Sequence, residues 1–339
     1  MWPLDVITYM IGGLSYKTKQ LFLTLIKLSI VIGAFYFIYK RLTNNEHLNF
    51  TIFVDFLSKN DVFSLKNVIF LLILTFFNWF FEILKWQNLI RIIEDISFFE
   101  ATKQSLAALT ASFFTPNRIG DYAAKAIYFK SSKRRKIVLL NLLSHIMQMT
   151  ITMVFGIVGL SIFIYTYNPE ISYYKLGRAL IILVIVLSFT VFGAKQTNFS
   201  IKGFSLKKVT DFIATISRKT HLKNAVFSVI RYLIFSFQFY VLLKLFGVDV
   251  YYVNAMVVIT TMYFLASIIP SVFIFDVIVK GSVALYIFDI VGVNDLTILS
   301  IITLMWILNF VFPSIIGSFF VMRFNAANLM LSAQNPDSE

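Results

Sequence analysis

Residues 251–275 contain no charged side chain, and in residues 137–167 the only Asp, Glu, Lys, Arg or His is His145. A helix crosses the hydrocarbon core of a bilayer in about 20 residues. Charge-free stretches of that length have no place on the surface of a soluble domain. The rest of the chain agrees. Of its 339 residues, 58% are hydrophobic and only 14% charged, against about 25% charged in an ordinary soluble domain, and mean hydropathy is +0.80. A soluble enzyme, a disordered chain and a secreted disulfide scaffold are excluded. The absence of cysteine removes thiol catalysis, disulfides and cysteine-ligated metal. Lipid admits only helices and closed barrels. The chain has 38 Phe but only 13 Gly and 6 Pro, and it lacks the polar-apolar alternation of a barrel strand. The expected fold class is therefore all-α, a polytopic membrane helical bundle.

Apolar stretches fall at 21–39, 68–86, 104–129, 137–167, 179–194, 225–246, 251–275 resuming to 288, and 296–322. Two of them are interrupted. The first is broken by Thr115-Pro116-Asn117-Arg118-Ile119-Gly120-Asp121, the other by Asp276 and Lys280 after Pro270. No linker divides the chain, so residues 1–339 read as a single integral membrane domain. Residues 1–20 lack an apolar core followed by a small-residue cleavage site, so no cleavable signal peptide is expected.

The net charge of +13 would suggest nucleic acid in a soluble protein. In a membrane chain it reads as cationic loops facing anionic lipid, with no nucleic-acid partner. Five of the seven residues from Lys130 to Lys136 are cationic, and residues 195–223 are also strongly basic. Both regions are expected in the cytoplasm by the positive-inside rule, as are the two termini. The loops around Asp249 and Asp289 contain no Lys or Arg beside those acids and read as outside. This sidedness works only if both interrupted stretches enter and leave on one face, and on opposite faces from each other.

The interrupted stretches also resemble each other. Ala101 to Pro116 and Ala255 to Pro270 have the same spacing, and each is followed by an Asp with a Lys four residues later, Asp121/Lys125 and Asp276/Lys280. Similar sequence with opposite orientation is an inverted-topology repeat, here over residues 68–165 and 225–322, and in such folds broken helices meet near the midplane to form the site.

Charged groups inside a membrane cost at least a few kcal/mol each, which makes them functional candidates. Pro116 ends the helix before it, Gly120 permits close approach, and the helix restarting near Asn117 points its positive end into the bundle beside Arg118, an arrangement suited to a phosphate. Asp121, Lys125, Asp276 and Lys280 read in two ways: they neutralise each other and pin half-helices, or they meet a headgroup or protons. The expected substrate-binding set is Pro116, Asn117, Arg118, Gly120, Asp121, Lys125, Asp276 and Lys280. Glu82 with Lys85 reads as a snorkelling pair near the cytoplasmic end of its span. Arg231 either snorkels or enters the bundle. His145, with Asn141 and Gln148 a turn to either side, forms a polar stripe for interhelical hydrogen bonding or substrate contact. His145, Gln148, Arg231 and Glu82 are thus outer candidates. No nucleotide-binding loop, dinucleotide fingerprint, metalloprotease helix or nucleophile elbow is present in the sequence. Neither a metal nor a cofactor is expected, and the chain is not expected to be an enzyme.

The run Thr115-Pro116-Asn117-Arg118-Ile119-Gly120-Asp121 followed by Lys125 resembles the proline-arginine-glycine-acid motif of the lysylphosphatidylglycerol synthase transmembrane-region family, the flippase-like proteins. Ile269-Pro270 through Asp276, Gly292-Val293 and the final span are similar to the second half of that family, and the likeness covers residues 20–325. It implies a polytopic inner-membrane domain that moves lipids between leaflets. Its partners would be membrane lipids of phospholipid or polyprenyl-phosphate type, and an envelope-biosynthesis enzyme. The soluble aminoacyl-transferase domain of the bifunctional members is not expected here, so lysine-lipid synthesis is not carried over. The second motif departs from the family form, with Phe273-Ile274-Phe275 before Asp276. Two other readings stay open: a membrane-embedded transferase on a lipid-linked substrate, and a non-transporting scaffold for an envelope enzyme.

Overall fold

A computed structural model of the protein describes residues 64–113, 119–169, 200–201, 204–268 and 276–324, with a few isolated positions before 64. The expected spans at 21–39 and 179–194 lie outside the described residues. Helix α1 is Leu65–Ile90, α2 Phe98–Ser112, α3 Ile119–Ala126 and α4 Ser131–Tyr167. Two bridged two-residue strands, β1 (Ser200–Ile201) and β2 (Phe204–Ser205), precede α5 (Leu206–Thr215). Then come α6 (Arg218–Leu245), α7 (Tyr252–Ile268), α8 (Asp276–Ile290) and α9 (Asp295–Trp306). A π-helical turn at Ile307–Val311 leads into α10 (Phe312–Arg323). Among the described residues, four units are long and apolar enough to cross a membrane: α1, α4, α6 and the run from Asp295 to Arg323. Local signals set the starts. The Ser97 hydroxyl accepts from the Glu100 amide, Ser217 from Thr220 and Asn294 from Leu296, each satisfying an orphan donor of the first turn.

Two apolar clusters mark the ends of the bundle. One gathers Leu89 and Ile90 from the end of α1, Ala101 from the start of α2, Ala126 from the end of α3, Phe129 from the turn after it, Ile137 and Leu140 from the start of α4, and Ile216 just before α6. The other gathers Leu71 near the start of α1, Phe163 near the end of α4, Leu242 and Phe246 from the end of α6, Ala255 from the start of α7, Phe288 from the end of α8 and Ile298 from the start of α9. So α2 and α3 enter and leave at one end, α7 and α8 at the other, and α1 runs antiparallel to α6. This is the inverted repeat expected from the sequence. The packing obeys the same two-fold relation: α1 lies on α6, α2 on α10 as α7 lies on α4, and α1 touches α4 as α6 touches α9.

The tight crossings repeat as well. A Cβ on Gly317 would collide with Leu106 O and Thr110 Oγ1, and Cβ atoms on Gly159 and Gly156 would collide with Thr260 and Phe264. The shift from Ala101 to Ala255 is 154 positions, and the same shift takes Leu106 to Thr260 and Thr110 to Phe264. The two halves therefore place their small residues against equivalent turns of α2 and α7, which lets backbones approach where lipid offers no hydrophobic drive for association.

The end holding Lys133, Arg134, Arg135, Lys136, Arg218, Lys219 and Arg323 is basic. Its parts are tied together by the Lys133–Glu94 ion pair (2.8 Å), the Asn88 side-chain amide donating to Thr220 O (3.1 Å) and the Tyr128–Phe324 ring contact (4.7 Å). Asp249, Asp289 and Asp295 lie at the opposite end. The native lack of cysteine makes sidedness directly testable. Single cysteines at Glu100 and Ser132 are expected to label from one face of oriented membranes, and those at Asp249 and Asp289 from the other. Gly317→Val is expected to destabilise the folded protein by about 1–3 kcal/mol through overpacking, read as a lowered melting temperature in detergent. Gly281→Ala, where a Cβ meets nothing within 4 Å, leaves stability unchanged or slightly raised.

Candidate functional site

Between the two apolar clusters lies a layer of buried charge. Asp121, in the first turn of α3, is 7% exposed and Lys125, one turn on, 3%. Their i,i+4 ion pair is long, 3.4 Å, because each side chain has closer partners on α4. The Asn141 amide donates to Asp121 Oδ2 at 2.6 Å, His145 Nε2 lies 2.9 Å from the same oxygen, and Lys125 donates to Asn141 Oδ1 at 2.8 Å. The Lys125 ammonium also sits 4.6 Å from the centre of the Trp86 ring, and the Trp86 indole donates to Gln104 Oε1 at 2.8 Å. These contacts tie α3 to α1 and α4, and Trp86 carries the chain of contacts on to α2.

A second ionic group adjoins the first. Glu82 Oε2 pairs with Lys85 at 2.8 Å and with Arg231 of α6 at 3.1 Å. The expectation that Glu82 and Lys85 snorkel at the surface is wrong: they are 8% and 1% exposed. Sequence spacing shows that they share a helix face with each other; it does not show that α6 brings Arg231 over that face. Arg231 enters the bundle. Gln148 Oε1 accepts from Lys85 and from Arg231, both at 3.4 Å. The stripe Asn141–His145–Gln148 thus links the two groups, its first two members on Asp121 and its third on the Lys85/Arg231 side. Through that stripe the five ions are joined into one layer. The side chains of His145 and Arg231 remain 35% and 25% exposed.

Of the expected binding set, Gly120 and Asp121 are buried at the start of α3 and Lys125 in its last turn. Pro116, Asn117 and Arg118 lie outside the described residues. Asp276 and Lys280 fall in the first turns of α8, but their side chains lie outside what is described, so the meeting of Arg118, Asp121 and Asp276 is not among the observed contacts. No group of three or more His, Asp or Glu side chains that would hold a metal occurs among the described residues.

A neutral network completes the interior. Asn78 donates to Asn309 Oδ1 (2.7 Å), Asn309 to Gln238 Oε1 (2.8 Å), and Gln238 to Thr75 Oγ1 (2.9 Å). Pro313 has no N–H to offer the carbonyl four residues back, which is that of Asn309. The Trp79 indole supplies the missing donor at 3.0 Å. The π-helical turn places Asn309 to serve both contacts. Sequence reasoning missed Asn78, Asn309 and Gln238; isolated amides within apolar runs were the available signal.

A helical bundle of two inverted repeats, each with a hairpin dipping from its own end toward a buried ionic layer, defines an integral membrane protein of the broken-helix, inverted-repeat class. Residues 24–317 match the model of the family described as Lysylphosphatidylglycerol synthase TM region. The chain belongs to that family, a lipid-related group of membrane proteins. No curated protein and no solved structure matches the chain.

Removing one partner from a buried pair leaves an uncompensated charge, at a cost of about 3–5 kcal/mol. Glu82→Gln, which strands Lys85 and Arg231 together, is expected to lose an amount of that order in detergent unfolding. The triple variant Glu82→Gln, Lys85→Met, Arg231→Met is expected to regain most of it.

Proposed function

We propose that the protein carries a lipid headgroup between leaflets, of the phospholipid or polyprenyl-phosphate type, along the ionic layer while the acyl or prenyl tail stays in the bilayer. The observation that supports this most is the layer itself. Five ionised side chains are held where each costs at least a few kcal/mol, between hairpins that open to opposite ends, with His145 and Arg231 still partly reachable. A purely structural bundle would be served as well or better by apolar packing. Family membership supports a lipid as the substrate. Exposed Phe76, Val154, Val158 and Phe319 suit a surface bathed in acyl chains.

On this reading the protein is a carrier rather than an enzyme. Its membrane is the cytoplasmic one, with the basic end and both termini in the cytoplasm. Movement is passive, proton-coupled or driven by a partner. An envelope-biosynthesis enzyme that consumes the delivered lipid is the expected partner.

Reconstitution tests the proposal. Proteoliposomes with headgroup-labelled phospholipid or polyprenyl-phosphate lipid should exchange label between leaflets faster than empty vesicles. Asp121→Asn should slow exchange by roughly tenfold or more, the equivalent of about 1.4 kcal/mol. Exchange no faster than in empty vesicles, or unaltered by Asp121→Asn, contradicts it.

A further inference from the structure

The ionic layer is not neutral. Lys85, Lys125 and Arg231 give three cations against the two acids Glu82 and Asp121, so 3 − 2 leaves one positive charge in excess among the described residues, before His145 is considered. A buried charge without a counter-charge is unfavourable inside a membrane.

Beside that excess, α6 presents a row of unmatched polar groups. Asn224, Ser228 and Arg231 follow one another at i, i+4 and i+7, on one face of the helix. Asn224 and Ser228 are both 0% exposed, yet the Asn224 Nδ2 and Oδ1, the Ser228 hydroxyl and the Arg231 Nε have no hydrogen-bond partner. Leaving such a group unpaired costs about 1–3 kcal/mol, and most native buried polar groups are paired. The row faces the ionic layer: Gln148 donates to Ser228 O at 3.3 Å and accepts from Arg231. The antiparallel matches Asn88 to Thr220, Phe81 to Phe227 and Glu82 to Arg231 put Lys85 level with Asn224 and Ser228.

We propose that Asn224, Ser228 and Arg231 of α6, with Lys85 and Gln148 opposite, form a binding subsite for one phosphate monoanion. Hydroxyl, amide and guanidinium donors beside a lone excess cation match the oxygens and the single negative charge of a phosphodiester. Both donors deep in the row are sealed from solvent. Filling the subsite requires α4 and α6 to part on the side where Arg231 is already exposed, and the bound anion then satisfies the donors and the charge together. The proposal deepens the headgroup-pathway reading and rests on it for its purpose.

Calorimetric titration of the purified protein in detergent tests it with three probes: dihexanoylphosphatidylglycerol, inorganic phosphate, and dihexanoylglycerol, which has the same chains and no phosphate. The expected result is binding of the phospholipid, none of dihexanoylglycerol, and affinity weakened by roughly tenfold or more in Asn224→Ala/Ser228→Ala. That double variant removes no charge, so it tests the subsite even if Arg231→Gln does not fold; a thermal melt confirms folding. Phosphate binding at the same residues identifies the free anion as sufficient, and phospholipid binding alone assigns the lipid headgroup. Equal binding of dihexanoylglycerol, unchanged affinity in the folded double variant, or no binding of either phosphate-bearing probe overturns the subsite. Anion binding as expected without vesicle exchange leaves the subsite standing and removes the transport reading. Exchange with no anion binding does the reverse.

Discussion

Charge is expensive inside a bilayer, and the architecture is organised around keeping it there. Asp121 is tolerable because α4 brings Asn141 and His145 to its carboxylate and α3 brings Lys125. Glu82 is tolerable because α6 brings Arg231 to complement Lys85. Each acid has a local lysine on its own helix, but the Asn141, His145 and Arg231 contacts form only when separate helices pack. The ionic layer and the helix arrangement therefore specify each other: helices mispacked by one turn would strand ions at several kcal/mol apiece. Apolar contacts alone discriminate poorly among helix registers in lipid, where the surroundings are as apolar as the side chains.

The inverted repeat supplies the geometry this requires. Hairpins that enter and leave at opposite ends bring α2 and α3 against one apolar cluster and α7 and α8 against the other. Small residues at equivalent turns, Gly317 against α2 and Gly156 with Gly159 against α7, let the long helices close on the hairpins. The two halves have diverged in chemistry around that shared frame. The described charge belongs to the first hairpin and its neighbours, while α7, α8 and α9 contribute mainly to an apolar cluster. The neutral amides of Asn78, Asn309 and Gln238 lie between, where Pro313 frees a carbonyl that Trp79 satisfies.

Much of the fold was legible in the sequence because lipid removes choices. Length and the absence of charge located α1, α4, α6 and the α9–α10 run, and loop charge implied that both hairpins return to their own sides. The matched Ala-to-Pro spacing revealed the repeat. The site was legible only in its local part. Asp121 and Lys125 share a helix face, and that follows from spacing. The Glu82–Arg231 pair joins residues 149 positions apart, and periodicity says nothing about contacts across such a distance, so spacing alone leaves Glu82 between a snorkelling pair with Lys85 and an outer site position. The polar stripe on α4 was visible, but its role as the link between two ionic groups depends on which faces of α1, α3 and α6 meet it.

The most direct measurement is cross-linking across the layer in native membranes. With no cysteine in the chain, Asp121→Cys paired with His145→Cys gives two thiols on residues that touch in the structure, one on the re-entrant hairpin and one on the span behind it. A short bifunctional thiol reagent is expected to join them within one chain in folded, membrane-embedded protein. Failure to cross-link, with each single cysteine reacting freely from the aqueous phase, would contradict a buried layer at the heart of the bundle.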